Sequence, residues 1–283
     1  MTMLADAAGV AARTLFTAPA ASARRLAAED ELIRTPLPLN RRISFVQSTS
    51  NSGCSSVVTQ LAGIFARRRS GAVLGVVAAA GATNMIDAAG LDASSPDRAN
   101  PSRLQATSSS DAVTGLRRTS SGLYVLDPRN GQGVNASAAE WEQQLMPISR
   151  FFDLTLTDWG VRTPATDLGA VAANSHVVCI VAPADRYPAE VAASLAPAVH
   201  AQPGSPAVLL VLVDVSGKAG RAPHSMLRDD SLPIAVIPHD PRLAGPAGRG
   251  TRPPSARSRR AHSTLAAALI ERALAAPQRK AAS

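Results

Sequence analysis

Apolar residues along the chain fall into two kinds of segment that take turns. Short unbroken runs of Val, Ile, Leu and Ala occur at Ile43–Gln47, Ala72–Ala80, Leu123–Leu126, Leu154–Thr157, Val177–Val181, Val208–Val213 and Ile234–Ile237. Such runs are the mark of strands covered on both faces. Between them lie stretches whose apolar positions recur at spacings of three and four. Val57–Arg69 is one, and Ser137–Phe151, with Ala138, Trp141, Leu145 and Ile148 on one side, is another. Alanine-rich stretches separate the later strands, and a last helix is expected from about Ser263 to Ala275, its Leu265, Leu269, Ile270, Ala273 and Leu274 side docked on the sheet. Strands alternating with helices predict an α/β fold, a doubly wound and mostly parallel sheet in three α/β/α layers.

The polar stretches set the expected limits. Residues 1–40 read as a flexible N-terminal tail with one short helix, ending at Pro36-Leu37-Pro38, and residues 41–275 as one α/β domain. Within it, residues 92–121 and 245–258, rich in Ser, Arg, Pro or Gly, are expected as flexible loops, and 276–283 as a C-terminal tail.

Composition changes this picture little. The 283 residues are 46% hydrophobic, enough for one sizeable core, but only 3% aromatic, so Val, Leu, Ile and Ala must fill it. No apolar run approaches the roughly 18 residues that span a bilayer, so a membrane is not an expected partner. Asp6 stands where a signal peptide carries positive charge, and a cytoplasmic location is expected. The two cysteines, Cys54 and Cys179, fit a reducing compartment and cannot alone build a metal cluster. Net charge is +8, with arginine clustered at Arg24-Arg25, Arg41-Arg42, Arg67-Arg68-Arg69 and Arg249 to Arg260. These clusters are either a nucleic-acid footprint or solvated helix ends and tails.

Candidate chemistry concentrates after the first strand. Ser48-Thr49-Ser50-Asn51-Ser52-Gly53-Cys54-Ser55-Ser56 links a strand to a helix start through small residues, the layout in which backbone N–H groups cradle phosphate. Ligands of such sheets sit beyond the carboxyl ends of the strands, which brings this loop to one rim with Asp158-Trp159-Gly160, Asp214 and Pro238-His239-Asp240-Pro241. Yet the chain has only two lysines, Lys218 and Lys280, neither near the loop.

The order of these segments from Arg41 to Ala275 resembles the ParA/MinD family of deviant-Walker P-loop ATPases, and most of all its actinobacterial MinD-like members, some of which accompany type VII secretion, septum placement or chromosome partitioning. Phe151 to Gly160 is similar to the family's second Walker strand and the start of switch II, and Ile237 to Ala244 to the proline loop near the nucleotide base. The resemblance implies a P-loop NTPase-like fold. It also implies a Mg-ATP site at Asn51, Ser52, Gly53, Cys54, Ser55, Ser56, Asp214, Pro238 and Asp240, with Ser55 and Asp158 on the magnesium. A homodimer or a protein partner is implied as well.

The departures bear on the chemistry. Thr49 and Cys54 occupy the positions of the family's two loop lysines, Val77 falls at or near its water-activating aspartate, and no acidic residue lies between Glu31 and Asp87. A lysine near 4 Å from a phosphate charge contributes about 4 kcal/mol at an effective dielectric near 20. Mg-ATP is therefore expected to bind weakly or not at all, and hydrolysis to be lost. Three readings stay open: a regulatory or scaffolding pseudo-ATPase, an atypical working ATPase that borrows an arginine, and a DNA-binding module using the arginine clusters. Single residues also carry paired readings. Cys54 is a reactive thiol or a small buried filler, Asp158 a magnesium holder or a turn cap, Asp214 a base reader or a strand-end residue, and Arg162 a phosphate contact or a solvated loop arginine.

Overall fold

The computed structural model describes residues 20–37, 40–81, 84–91, 100–129, 133–218, 232–243 and 253–277. Among these residues eight strands form one sheet: β1 (Arg41–Gln47), β2 (Val73–Val77), β3 (Arg117–Arg118), β4 (Tyr124–Leu126), β5 (Leu154–Val161), β6 (Val177–Pro183), β7 (Ala207–Val213) and β8 (Ile234–Ile237). Their spatial order is β3-β4-β2-β5-β1-β6-β7-β8, parallel throughout except for β3 at one edge. The helices are α1 (residues 20–34), α2 (Cys54–Arg68), α3 (Met85–Ala88), α4 (Pro101–Leu104), α5 (Ser109–Val113), α6 (Ala138–Ser149), α7 (Leu168–Ala173), α8 (Arg186–Ala193), α9 (Ala196–His200) and α10 (Ala256–Ala275).

The pleat divides each apolar run between two cores. In β6, Val177, Cys179 and Val181 face α2 and α10, while Val178, Ile180 and Ala182 face the opposite layer. β7 repeats this in register, with Leu209, Val211 and Val213 on the first side and Val208, Leu210 and Leu212 on the second. That two-sided burial is why these strands lack a polar face. The expected doubly wound α/β/α architecture is present.

Several boundaries differ from expectation. β5 does not stop at Thr157: Asp158, Trp159 and Gly160 belong to it, because one extra residue bulges against β1 between the Phe45–Asp158 and Gln47–Val161 pairs. Gly160, with φ 68°, supplies that bulge. α10 begins at Ala256, seven residues before the expected start, with Ser255 accepting from the Ser258 amide as its cap. Residues 256–258 are therefore helical rather than loop, and residues 100–121 hold α4, α5 and β3. The flexible tail expected to residue 40 does not describe residues 20–37. Ile33 in α1 is fully buried, Thr264 donates to Glu29 at 2.9 Å, and Arg69 donates to the Ile33 carbonyl at 2.6 Å. The parts of the expected tails and loops at 1–19, 38–39, 92–99, 245–252 and 278–283 lie outside the described residues.

Candidate functional site

The strand ends build a cavity of about 790 Å³ at the carboxyl edge of the sheet. β1 contributes Gln47, the following loop Ser50, Asn51 and Gly53, and the first turn of α2 Cys54, Ser55 and Ser56. The turn after β2 adds Ala79 to Gly81, the end of β5 adds Gly160 and Val161, and Val213, Asp214 and Val215 follow from β7. The far side is Ile237 to Asp240, Leu243 and, from α10, His262.

The loop geometry follows from its small residues. Asn51 and Gly53 both have left-handed backbone, φ 61° and 83°, so the chain turns tightly into α2. No side chain caps that helix, and Gly53 is its N-cap. The first amides of α2 therefore open toward the cavity wall made by Cys54, Ser55 and Ser56, with the positive end of the helix dipole behind them.

Below this turn sits Asp158, fully buried and in register with Phe45 on one side and Val77 on the other. Ser55 Oγ donates to its Oδ2 at 2.5 Å, while Oδ1 takes the Gly160 amide at 3.2 Å and faces Cys54 Sγ at 3.6 Å. Burial raises the Asp158 pKa against the pull of those donors. Burial also pushes the Cys54 thiol well up, and the neighbouring carboxylate adds to the effect. Cys54 is thus a neutral, 2% exposed filler that hands its proton toward Asp158. The alternative of an activated thiolate at a helix N-terminus does not hold, because a buried carboxylate stands beside it.

Of the residues expected at the site, Asn51, Gly53, Cys54, Ser55, Ser56, Asp214, Pro238 and Asp240 line the cavity. Ser52 does not: it is fully buried and its hydroxyl donates to Gln47 Oε1. Asp240 reaches the wall, but its carboxylate is engaged elsewhere. Burial would raise its pKa, yet the Ser255 amide at 2.7 Å and the Arg242 amide at 3.1 Å hold it below the usual value, tying the proline loop to the start of α10. Asp214 accepts from the Gly217 amide at 2.7 Å, and its own carbonyl meets His239 Nδ1 at 3.2 Å.

Arg162 is neither a solvated loop residue nor a phosphate contact. It is 3% exposed, lies over Trp159 at 5.4 Å, and donates to the carbonyls of Ala136 at 2.6 Å and Val161 at 3.0 Å. His239 lies at the cavity as its place in the proline loop predicts, whereas Gln47, Asn135 and His262 were not expected there. Asn135 accepts the Ala80 amide at 2.7 Å, which pins the turn after β2. His262 lies a whole domain away in sequence and is brought in only by the docking of α10.

The arginine clusters divide: Arg24, Arg25, Arg67, Arg257, Arg259 and Arg260 are exposed, Arg249 and Arg252 lie outside the described residues, and four others are held within the fold. Arg41 is 1% exposed, Arg42 Nε donates to the Asn174 carbonyl at 2.6 Å, Arg68 pairs with Asp30 at 3.3 Å, and Arg69 pairs with Asp153 at 2.6 Å. Among the described residues no helix is long and apolar enough to cross a membrane.

Solved structures share this arrangement of strands around the loop. The crystal structure of a ParA family ATPase from Chlorobium tepidum TLS aligns with TM-score 0.64 at 16% identity, over 81% of this chain and 98% of that one. The fold is that of the ParA and MinD ATPases. The septum site-determining protein MinD of Pyrococcus horikoshii OT3, complexed with Mg-ADP, aligns at 0.59 with 17% identity over 81% and 95% of the two chains. MinD in the MinC:MinD cell division complex of Aquifex aeolicus aligns at 0.59 with 16% identity over 82% and 96%. No protein-family model matches the chain, and no curated protein matches it in sequence.

The ParA/MinD fold raises the question of magnesium and a nucleotide. Ser55 at the wall with Asp158 directly beneath is a pair that would hold a magnesium ion, which would supply positive charge at that end of the cavity. The phosphates themselves fit less well: among the described residues no Lys or Arg lines the cavity, and Cys54 in its wall is buried beside Asp158.

Proposed function

We propose that this chain is a ParA/MinD-type protein that has given up ATP turnover and acts as a regulatory or scaffolding partner in partitioning, division or secretion. One observation carries the reading: Cys54, uncharged and buried, closes the phosphate end of the cavity against Asp158. Phosphoryl transfer is catalysed chiefly by charge placed around the transferring group. Here the loop offers hydroxyls, amides and a thiol, and the turn after β2 is Ala78-Ala79-Ala80-Gly81, with no carboxylate to orient water. Solved proteins of this fold include a septum site-determining MinD and a MinD held by MinC, which supports a protein partner or a second copy of this chain as what it engages. Of the arginines on which the DNA-binding reading rests, Arg68 and Arg69 are spent within the fold while Arg67, Arg257, Arg259 and Arg260 stay exposed, so it stands as the second reading.

The test is a hydrolysis assay with magnesium and ATP on the full chain, beside Asp158→Ala. The expected result is no phosphate release above the variant's background. Turnover that disappears in Asp158→Ala would overturn the proposal and restore the working ATPase.

A further inference from the structure

The two edges of the sheet are built in opposite ways. β3 closes one edge with Arg117 and Arg118 alone, set antiparallel to β4. Shortness and charge are what keep an edge strand from pairing with another chain. β8 closes the other edge with Ile234-Ala235-Val236-Ile237, which carries no charge. Ile234, Ala235 and Val236 are only partly buried, although the residues opposite them in β7, Leu210, Val211 and Leu212, are fully buried.

The ladder fixes what the β8 edge presents. β8 runs parallel to β7, with Leu210 opposite Ile234 and Leu212 opposite Val236. The Leu210 amide donates to the Pro233 carbonyl and the Asp214 amide to the Ile237 carbonyl, each at 2.9 Å. In a parallel ladder alternate residues turn their main chain toward the neighbouring strand. Pro233, Ala235 and Ile237 therefore face β7, and the N–H and C=O groups of Ile234 and Val236 point out of the sheet. Among the described residues no strand receives them. The Ile234 and Val236 side chains share one face, at the margin of the second core, while Ala235 lies on the other.

We propose that β8 pairs with β8 of a second copy of this chain, antiparallel about a two-fold axis through Ala235. The register selects self-pairing. An antiparallel ladder centred on Ala235 sets Ile234 of each copy opposite Val236 of the other. Those are the residues with outward groups, so every unpaired N–H meets an unpaired C=O. The same pairing stacks Ile234 on Val236 across the strands, two β-branched side chains on one face. Ala235, the smallest residue of the strand, falls on the axis as a non-hydrogen-bonded pair, where Cα atoms approach to about 4.5 Å. The sheet then runs through both copies, and their cavities open at opposite ends. The contact needs neither nucleotide nor magnesium, and it holds whether or not ATP turnover has been lost.

The experiment is sedimentation equilibrium of the full chain without nucleotide, from micromolar to millimolar concentration. The expected result is a mass that rises to twice that of one chain. Val236→Pro removes an outward N–H and leaves the ladder to β7 whole, while Ile234→Lys keeps the backbone and sets a charge at the edge. Each should weaken dimerisation tenfold or more with the far-ultraviolet circular dichroism unchanged. Ala235→Cys treated with oxidised glutathione should link two chains, since the new thiols meet at the axis while Cys54 and Cys179 stay buried. A single-chain mass at every concentration, or a dimer that Ile234→Lys leaves intact and Ala235→Cys does not link, would overturn the inference. Phosphate release from ATP, assayed on the same samples, keeps the two claims apart. Monomer without turnover sinks the edge contact and leaves the regulatory reading, whereas dimer with turnover sinks the regulatory reading and leaves the edge contact.

Discussion

Gly53 and Cys54 are neighbours with opposite constraints. Gly53 is held at φ 83°, and a Cβ there would stand 3.0 Å from Val213 Cγ1. Gly53→Ala therefore imposes left-handed backbone on an L-residue and crowds β7, and should lower stability by about 1–2 kcal/mol, read as a drop in urea midpoint with unchanged slope. Cys54 imposes no such backbone demand. Its identity matters through charge, since a neutral thiol beside Asp158 leaves the loop without a cation. Backbone conformation is thus fixed at one position and local charge at the next.

Among the elements, α1 is tied to the sheet domain through Glu29, Asp30, the buried Ile33 side chain and the Ile33 carbonyl. Arg69, 8% exposed at the end of α2, reaches Asp153 with one side of its guanidinium and the Ile33 carbonyl with the other. It ties α1 to both α2 and the start of β5. Arg69→Ala leaves Asp153 and a buried carbonyl without their donor, and should cost about 3 kcal/mol. Hydrogen exchange should show the amides of residues 20–34 losing protection in this variant before those of β6; equal loss in both would mean α1 is not a separate unit. The bulge in β5 acts at the same scale. By adding one residue at Gly160 it keeps Asp158 under Ser55 and still delivers Val161 to the cavity wall.

For the molecule as a whole, pH reads out how α10 closes the cavity. His262 is 2% exposed, and burial depresses its pKa despite the Ser258 carbonyl and the Asp240 carboxylate nearby. The unfolded chain then takes up a proton on this ring before the folded one does, so stability is full above the ordinary histidine value of about 6.5 and falls as pH drops through it. Asp240, whose folded pKa is depressed, keeps its contribution until more acidic pH and then loses it, while Asp158, whose folded pKa is raised, acts in the opposite sense. The expected outcome is a melting temperature that declines from pH 7 to pH 5.5 in the wild-type chain and is flatter over that range in His262→Gln. A decline of equal slope in the variant would assign the acid sensitivity elsewhere.

Runs such as Val177–Val181 and Val208–Val213 determined the parallel sheet by themselves, because a strand buried on both faces has no polar positions to vary. The absence of lysine beside Ser48–Ser56 was equally plain in the chain, since no tertiary arrangement can add a residue type. Tertiary structure alone decided where charge and burial meet. Arg69 and Arg162 look like surface arginines in sequence and are buried because Asp153 and the Ala136 carbonyl, distant along the chain, wait for them. Gly160 reads as a strand end, and only pairing with β1 shows that it carries β5 onward through a bulge. His262 reaches the cavity through the docking of α10, which no local pattern near the loop encodes. Local periodicity sets the elements, but the ionisation and partners of a site are properties of the packed whole.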